Sequence, residues 1–409
     1  MSGLRHAFRA LRHRDFRVFF YGQAVSVTGT WMQSMAQAWL VYRLSGSPLV
    51  LGILWAVRFG PSLVLAPLAG VVADRFPRRS LVLATQAASL LQAAALAALT
   101  LSGTVRTWHV LLLALFQGVV DTLDMPARQT LQVDLVGVED LQSAVSLNSS
   151  AFNLARMLGP ALAGVLVAEF GEGVCFAANA VSYVAVLASL FALRVPPVAA
   201  APSRSLASEL LEGFRYALAE TRIRRVLVAV TVISVLGMSY SSLLPVLAGD
   251  VLGAGARGYG LLLGGAGLGA ILGALTAASR SSRGLPRGAT ALGQAALGAS
   301  LIGLAVSASL PGAVSWLVAI GFVIAVQLST TNAFLQTTAP PHLRGRIVSL
   351  YIWLFVGVSP LGGLAAGALA ERAGVAWAIA AGGCGCLLGA ALDAIGARRR
   401  GDAGCGGGE

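Results

Sequence analysis

Five ionisable residues stand inside otherwise apolar stretches: Arg58, Asp121, Asp124, Arg156 and Asp393. Charges at such positions are costly, and they default to candidates for ion or proton handling. Gln117, Asp121, Asp124 and Arg128 recur at spacings of 4, 3 and 4, and Ser149, Asn153, Arg156 and Pro160 repeat that spacing. On a helix each set shares one face. Two such stripes on adjacent helices can satisfy each other, with Arg156 and Asp121 as one pair. A carboxylate held near an arginine stays ionised until something displaces the arginine, so its protonation becomes coupled to that displacement. A static buried pair, with Asp124 and Arg128 meeting near the headgroups, fits the same spacing. Arg58 precedes Asp74 by 16 residues, roughly 24 Å along a helix. That depth suits snorkelling to the outer surface, an interhelical role, or contact with an anionic ligand. Asp393 falls near the inner end of its stretch.

Other chemistry is excluded by what the chain lacks. All 29 basic residues are arginine. Without lysine there is no phosphate-loop lysine and no pyridoxal Schiff base. His6, His13, His109 and His342 are scattered, and Cys175, Cys384, Cys386 and Cys405 form no CxxC pair. These cysteines read as small packing residues. No metal, no cofactor and no enzymatic activity are expected.

The elements that must position these residues are membrane spans. The chain has 409 residues, 56% hydrophobic and 11% charged, against about 25% charged in soluble domains. Charge-free runs such as Val18 to Tyr42, Ser80 to Val105 and Gly288 to Leu343 are long enough to cross a bilayer. Breakers between runs mark twelve spans, and Ser307 to Ala313 divides the longest run. With the N-terminus inside, inner segments hold 23 arginines; the outer loops hold four, Arg43, Arg106, Arg257 and Arg372. This bias places both ends in the cytoplasm and explains the net charge of +12 without nucleic acid. The basic start reads as an interfacial segment rather than a signal peptide.

The chain also repeats. A shift of 203 places Val145-Ser146-Leu147 on Val348-Ser349-Leu350 and Leu158-Gly159 on Leu361-Gly362; a shift of 208 places Arg75 on Arg283 and Arg79 on Arg287. The expected organisation is a six-helix bundle over 1–193, a cytoplasmic linker over 194–225, a second six-helix bundle over 226–395, and a disordered tail over 396–409. Parallel six-helix repeats are a transporter plan.

Between spans two and three lies Gly70-Val-Val-Ala-Asp74-Arg75-Phe-Pro-Arg78-Arg79. This loop resembles the signature of the major facilitator superfamily. Arg156-Met-Leu-Gly159-Pro160-Ala-Leu-Ala-Gly164 is similar to the glycine-proline motif of its exporters. The opening Arg14-Asp-Phe16-Arg17…Gly22-Gln23…Ser26…Gly29 and the segment Met125-Pro126-Ala127-Arg128 resemble the subfamily of the enterobactin exporter and macrolide-efflux proteins. The resemblance implies an all-α integral membrane fold of 12 helices in two bundles, with spans one, four, seven and ten lining a cavity.

Asp74 is expected to latch the inner side with Arg128 as its partner and Arg75, Arg78 and Arg79 around it; the alternative is that these arginines are only topological anchors. Ser282 stands where Asp74 would map in the second half, so the gate is expected to be asymmetric. Ser26, Thr30, Gln33 and Gln37 form a neutral stripe on span one, joined by Gln117, Asn153, Met238, Gln327 and Thr331 and by Trp31 as cavity candidates. Each of the neutral polar residues fits interhelical hydrogen bonding as well as ligand contact. Gly159, Pro160 and Gly164, like the glycine runs from Gly260 and Gly357, read as packing surfaces.

The resulting expectation is a secondary transporter of the bacterial cytoplasmic membrane, acting as a monomer on a small hydrophobic or amphipathic compound. It exports a drug, macrolide or siderophore in exchange for protons. Nutrient uptake and the membrane subunit of an ATP-driven pump are the rival functions.

Overall fold

The structure is a computed structural model, and it describes residues 8–194, 206–280 and 288–405. Among the described residues every regular element is helical. A short 3-10 turn, Arg9–Arg12, precedes α1 (Arg14–Ser45), α2 (Pro48–Arg75) and α3 (Arg78–Leu101). Proline opens α2, where its missing N–H costs nothing. Gly46 ends α1 at φ 61°, its N–H returning to the Tyr42 carbonyl at 2.8 Å.

The next run, Thr107–Phe170, holds 64 residues. A straight helix of that length would extend roughly 96 Å, about three times the hydrocarbon thickness. Gly137, at φ 71° and ψ 174°, breaks the run and divides it into α4 (107–136) and α5 (138–170). Only glycine adopts this backbone freely. After α6 (Glu172–Phe191) comes a linker helix, Leu206–Ala219. It is followed by α7 (Thr221–Val251), α8 (Gly255–Arg280), α9 (Ala289–Ala305), α10 (Leu310–Thr338), α11 (Arg344–Ala373) and α12 (Val375–Cys405).

Among the described residues nine helices are long and apolar enough to cross a membrane, counting Thr107–Phe170 once. Ala289–Ala305 is a shorter apolar helix. Polar stripes dilute α1, which is amphipathic only weakly because its amides and hydroxyls face inward.

Two compact units emerge. Unit one comprises Met1–Gly46, Gly60–Arg204 and Gly255–Gly264; unit two comprises Ser47–Phe59, Ser205–Ala254 and Gly265–Glu409. The start of α2 thus belongs to unit two and the start of α8 to unit one, whereas the repeat alone suggests contiguous halves.

In unit one, α1 packs on the α4–α5 run and on α6, and α3 packs on the same partners. Small residues set the spacing: a Cβ at Gly29 would lie 2.5 Å from both Asn179 and Ser182 of α6. Gly159 faces Trp31 and Thr28 of α1, and Gly164 lies against Gly260 and the Ala256 carbonyl of α8. In unit two, α9 and α12 meet through Gly298 and Gly383, each against the other's carbonyl. The α7 and α11 helices each contain a π turn, Ile233–Gly237 and Trp353–Gly357, and these touch. The Ser234 hydroxyl donates to the Phe355 carbonyl at 2.6 Å, a group the wider turn leaves accessible.

Candidate functional site

Thr85, Gln86 and Ser89 of α3 and Gln117, Asp121, Asp124 and Arg128 of α4 form one polar cluster in unit one. Apolar packing on both sides forces these groups to answer one another. Asp124 is 3% exposed. Its Oδ1 accepts from the Thr85 hydroxyl at 2.6 Å and the Gln86 amide at 3.0 Å, while Oδ2 accepts from Arg128 at 2.9 Å. Three donors on one buried carboxylate make a charge-assisted set, about twice as strong per bond as a neutral one. One turn away, the Gln117 amide donates to Ser89 Oγ at 2.9 Å and to Asp121 Oδ1 at 2.8 Å. The carbonyl oxygens of Gln86 and Gln117 are buried and have no hydrogen-bond partner.

A second polar cluster lies elsewhere in unit one. Gln33 donates to Gln92 Oε1 at 2.8 Å and accepts from Asn179 at 2.8 Å; Ser182 donates to Asn179 Oδ1 at 2.9 Å. Gln37 donates to the Val110 carbonyl at 3.3 Å. The stripe Ser26, Gln33 and Gln37, expected to face a cavity, is therefore buried against α3, α4 and α6. The reason is saturation: an amide whose oxygen and nitrogen are both bonded inside the bundle has little left for a ligand. Thr30 is half-buried and donates to the Ser26 carbonyl at 3.0 Å; Asn153 is half-buried and donates to the Ser149 carbonyl at 2.8 Å.

Three arginines of the expected latch, Arg128, Arg78 and Arg79, each have a partner within unit one. Arg128 closes on Asp124 four residues earlier, the nearer acid on its own helix. Arg78 binds Asp134 at 2.6 Å, and Arg79 donates to the carbonyls of Leu190 at 2.9 Å and Phe191 at 3.2 Å. Both arginines thereby fasten the start of α3 to its neighbours within unit one. Arg75 is exposed, and the Asp74 side chain lies outside the described residues, as do Ser282, Arg283 and Arg287. Asp121 and Arg156 are both half-buried.

Sequence reasoning missed three acids. Asp134 and Asp140 flank the Gly137 bend. Asp140 accepts from His13 at 2.8 Å and from Arg9 at 2.9 Å, while Ser143 accepts from the Ala10 N–H at 3.1 Å. The His13 hydrogen bond, with Arg9 and Arg12 nearby, holds the Asp140 carboxyl below its ordinary value. Glu172, 4% exposed, receives Arg43 in a two-pronged contact at 2.9 and 3.0 Å. The available signal was an acid one turn from a helix break, next to a basic segment.

In unit two, Asp393 joins three helices: Arg225 binds Oδ1 at 2.7 Å and Thr290 donates to Oδ2 at 2.6 Å. Met238 is half-buried. Gln327 and Thr331 are buried; Gln327 Nε2 and Thr331 Oγ1 have no hydrogen-bond partner, and neither has Gln294 Oε1. A shift of 210 carries Gln117 onto Gln327 and Asp121 onto Thr331, and a shift of 208 carries Gln86 onto Gln294 and Ser89 onto Leu297. At these offsets unit two keeps the two glutamines of the α3–α4 cluster but neither carboxylate.

A family profile described as a transmembrane secretion effector matches residues 5–403. The staphyloferrin A transporter of Staphylococcus aureus is 27% identical over 88% of this chain and 90% of its own length. The multidrug efflux pump Tap of Mycolicibacterium fortuitum is 30% identical over 85% and 87%, respectively. The enterobactin exporter EntS of Escherichia coli is 27% identical over 87% and 86%. Among solved structures, a bacterial homolog of the human lysosomal transporter Spinster aligns with a TM-score of 0.72 at 14% identity, covering 95% of this chain and 97% of that one. The human organic anion transporter MFSD10 aligns at 0.61 and 18% identity, over 93% and 99%. These structural likenesses concern the fold.

Proposed function

We propose, from the premise that this chain belongs to the transmembrane secretion effector family of major facilitator transporters, that it exports its small compound by proton antiport. The compound is hydrophobic or amphipathic, of the drug, macrolide or siderophore kind. Relatives named for staphyloferrin A, multiple drugs and enterobactin support that range. Export by a multi-pass membrane protein follows from the family; the coupling ion is our reading. One observation carries it: Asp121 and Asp124 are the acids embedded in the spans of unit one, and they sit within a hydrogen-bonded α3–α4 cluster.

The finer architecture belongs to the same reading. Twelve spans form two six-helix bundles that give access to the two sides alternately, in the bacterial inner membrane with both ends cytoplasmic. The transporter works as a monomer, with the proton gradient in place of a cofactor. Asp74 and the exposed Arg75 keep the inner latch role. Among the cavity candidates of unit one, the half-buried Thr30, Trp31 and Asn153 are the side chains we assign to substrate contact, with Arg156 as the proposed partner of Asp121; in unit two, taken by itself, the half-buried candidate is Met238.

The test uses inverted membrane vesicles energised by respiration and a panel of siderophores, macrolides and the dye ethidium. Accumulation of at least one compound that an uncoupler abolishes and ATP depletion spares is the expected result. Accumulation that follows ATP with the proton gradient clamped would overturn antiport.

A further inference from the structure

Gln117 is 4% exposed and Ser89 2% exposed, and the Gln117 amide spans the gap between Ser89 Oγ and Asp121 Oδ1 at 2.9 and 2.8 Å. Both of its hydrogens point at acceptors, while its own carbonyl oxygen is buried with no partner. A buried acceptor left unpaired is costly. The arrangement suits an ionised Asp121, which can only accept.

We propose that Ser89 and Gln117 form a hydrogen-bond chain that reverses its polarity as Asp121 gains and loses a proton. The inference rests on the proton-antiport reading and deepens it by naming the residues that position the proton. On protonation an O–H bond of a hydronium ion breaks, leaving water, and an O–H bond forms at Asp121, whose carboxylate loses its charge. Asp121 is now a donor, so the Gln117 amide turns over and offers the oxygen that had no partner. Ser89, whose hydroxyl can donate or accept, turns its hydrogen toward the same oxygen. The trio holds two hydrogen bonds before the step and two after it, the amide oxygen gaining both while the two N–H groups give up Ser89 and Asp121. Deprotonation reverses every move, and no other bond is made or broken. The step places the proton on Oδ1, the oxygen that Gln117 binds.

The contrast with Asp124 is chemical. Arg128 has five N–H groups and no acceptor, so a proton on the oxygen it binds has no bond to make there. The reversible chain is therefore placed at Asp121 and not at Asp124. Within unit one the other charged group inside an apolar stretch is Arg156 of α5; α1, α3 and α6 carry none within theirs. Unit two supports the assignment by comparison, since Thr331 and Leu297 replace Asp121 and Ser89 there. A hydroxyl cannot hold a transferable proton near neutrality, and a leucine cannot reverse a hydrogen bond.

The experiment is infrared difference spectroscopy of the full-length protein in liposomes, between alkaline and mildly acidic buffer, with no substrate added. The expected wild-type spectrum shows a protonated-carboxyl band together with a glutamine carbonyl shift to lower frequency. Asp121→Asn removes both, and Asp121→Glu, which covers a folding failure of the amide, displaces the acid band. Gln117→Leu removes the glutamine signal and moves the acid band to higher frequency; Ser89→Ala alters the glutamine signal. An acid band that persists in Asp121→Asn, or holds its position in Gln117→Leu, overturns the chain. The measurement reads the proton without a transported compound, so it separates this inference from the export reading. Vesicles that pump by proton antiport while this band is absent would leave antiport standing and remove the chain.

Discussion

Replacing Asp124 by asparagine isolates the ion pair of the α3–α4 cluster. Asparagine keeps the shape and one acceptor oxygen, so the Thr85 and Gln86 bonds at 2.6 and 3.0 Å can persist. The contact that fails is the third: Arg128, at 2.9 Å, then faces a neutral amide instead of a carboxylate. Breaking one side of a buried ion pair costs about 3–5 kcal/mol. The Arg128 side chain is 29% exposed against 4% for Asp124, so water recovers part of that, and we expect about 2–3 kcal/mol. Arg128→Met should keep the packing of the stem and also strand the carboxylate. The double variant Asp124→Asn with Arg128→Met leaves neither charge unpaired and should be more stable than the sum of the single losses by at least about 1 kcal/mol. Denaturant unfolding of the purified protein in mixed micelles, followed by tryptophan fluorescence, measures the cycle. Single losses that add to within about 0.5 kcal/mol would refute the coupling.

Four further expectations follow from other positions. Gly29→Ala places a methyl 2.5 Å from Asn179 and Ser182 and should destabilise by about 1–3 kcal/mol. Gly60→Ala, with nothing within 4 Å, should be neutral or stabilising by up to about 1 kcal/mol, in the same unfolding assay. Asp393→Ala should release Arg225 and Thr290 together, costing about 2–4 kcal/mol, and adding Thr290→Val should cost little more. Because the Asp140 carboxyl is depressed by His13 and the nearby arginines, its contribution is fully present above its ordinary value of 3.8 and fades as pH falls below that. The melting temperatures of wild type and Asp140→Asn should therefore differ near neutrality and converge in strong acid; a constant gap would contradict the linkage.

The sequence made the membrane class legible because charge is expelled from hydrocarbon, and the expelled arginines are visible as clumps. It also located the polar stripe Gln117–Arg128, since spacing on a helix is local. Which way a stripe faces was not legible. In α1 both faces meet apolar surroundings, so the pattern of Gln33 and Gln37 does not say whether the amides meet a ligand or Gln92, Asn179 and Val110. Partner choice over distance was hidden for the same reason: Arg78 finds Asp134 56 residues away across the packing of α3 on α4, and His13 finds Asp140, 127 residues away and just past the Gly137 bend. Arg128 is the opposite case: its pair with Asp124 one turn back is local and readable from the spacing.

The paired π turns carry a consequence for tolerance to length change. Each accommodates one residue beyond an α-helical turn, so removing a single residue from Ile233–Gly237 would restore ordinary pitch and rotate everything beyond it by about 100°. Ser234 would swing away from the Phe355 carbonyl it now binds at 2.6 Å, and Val235 would leave Gly362. A compensating deletion in Trp353–Gly357 turns the opposite helix by the same amount. The two insertions form a matched joint, and a chain that lost one would be under pressure to lose the other.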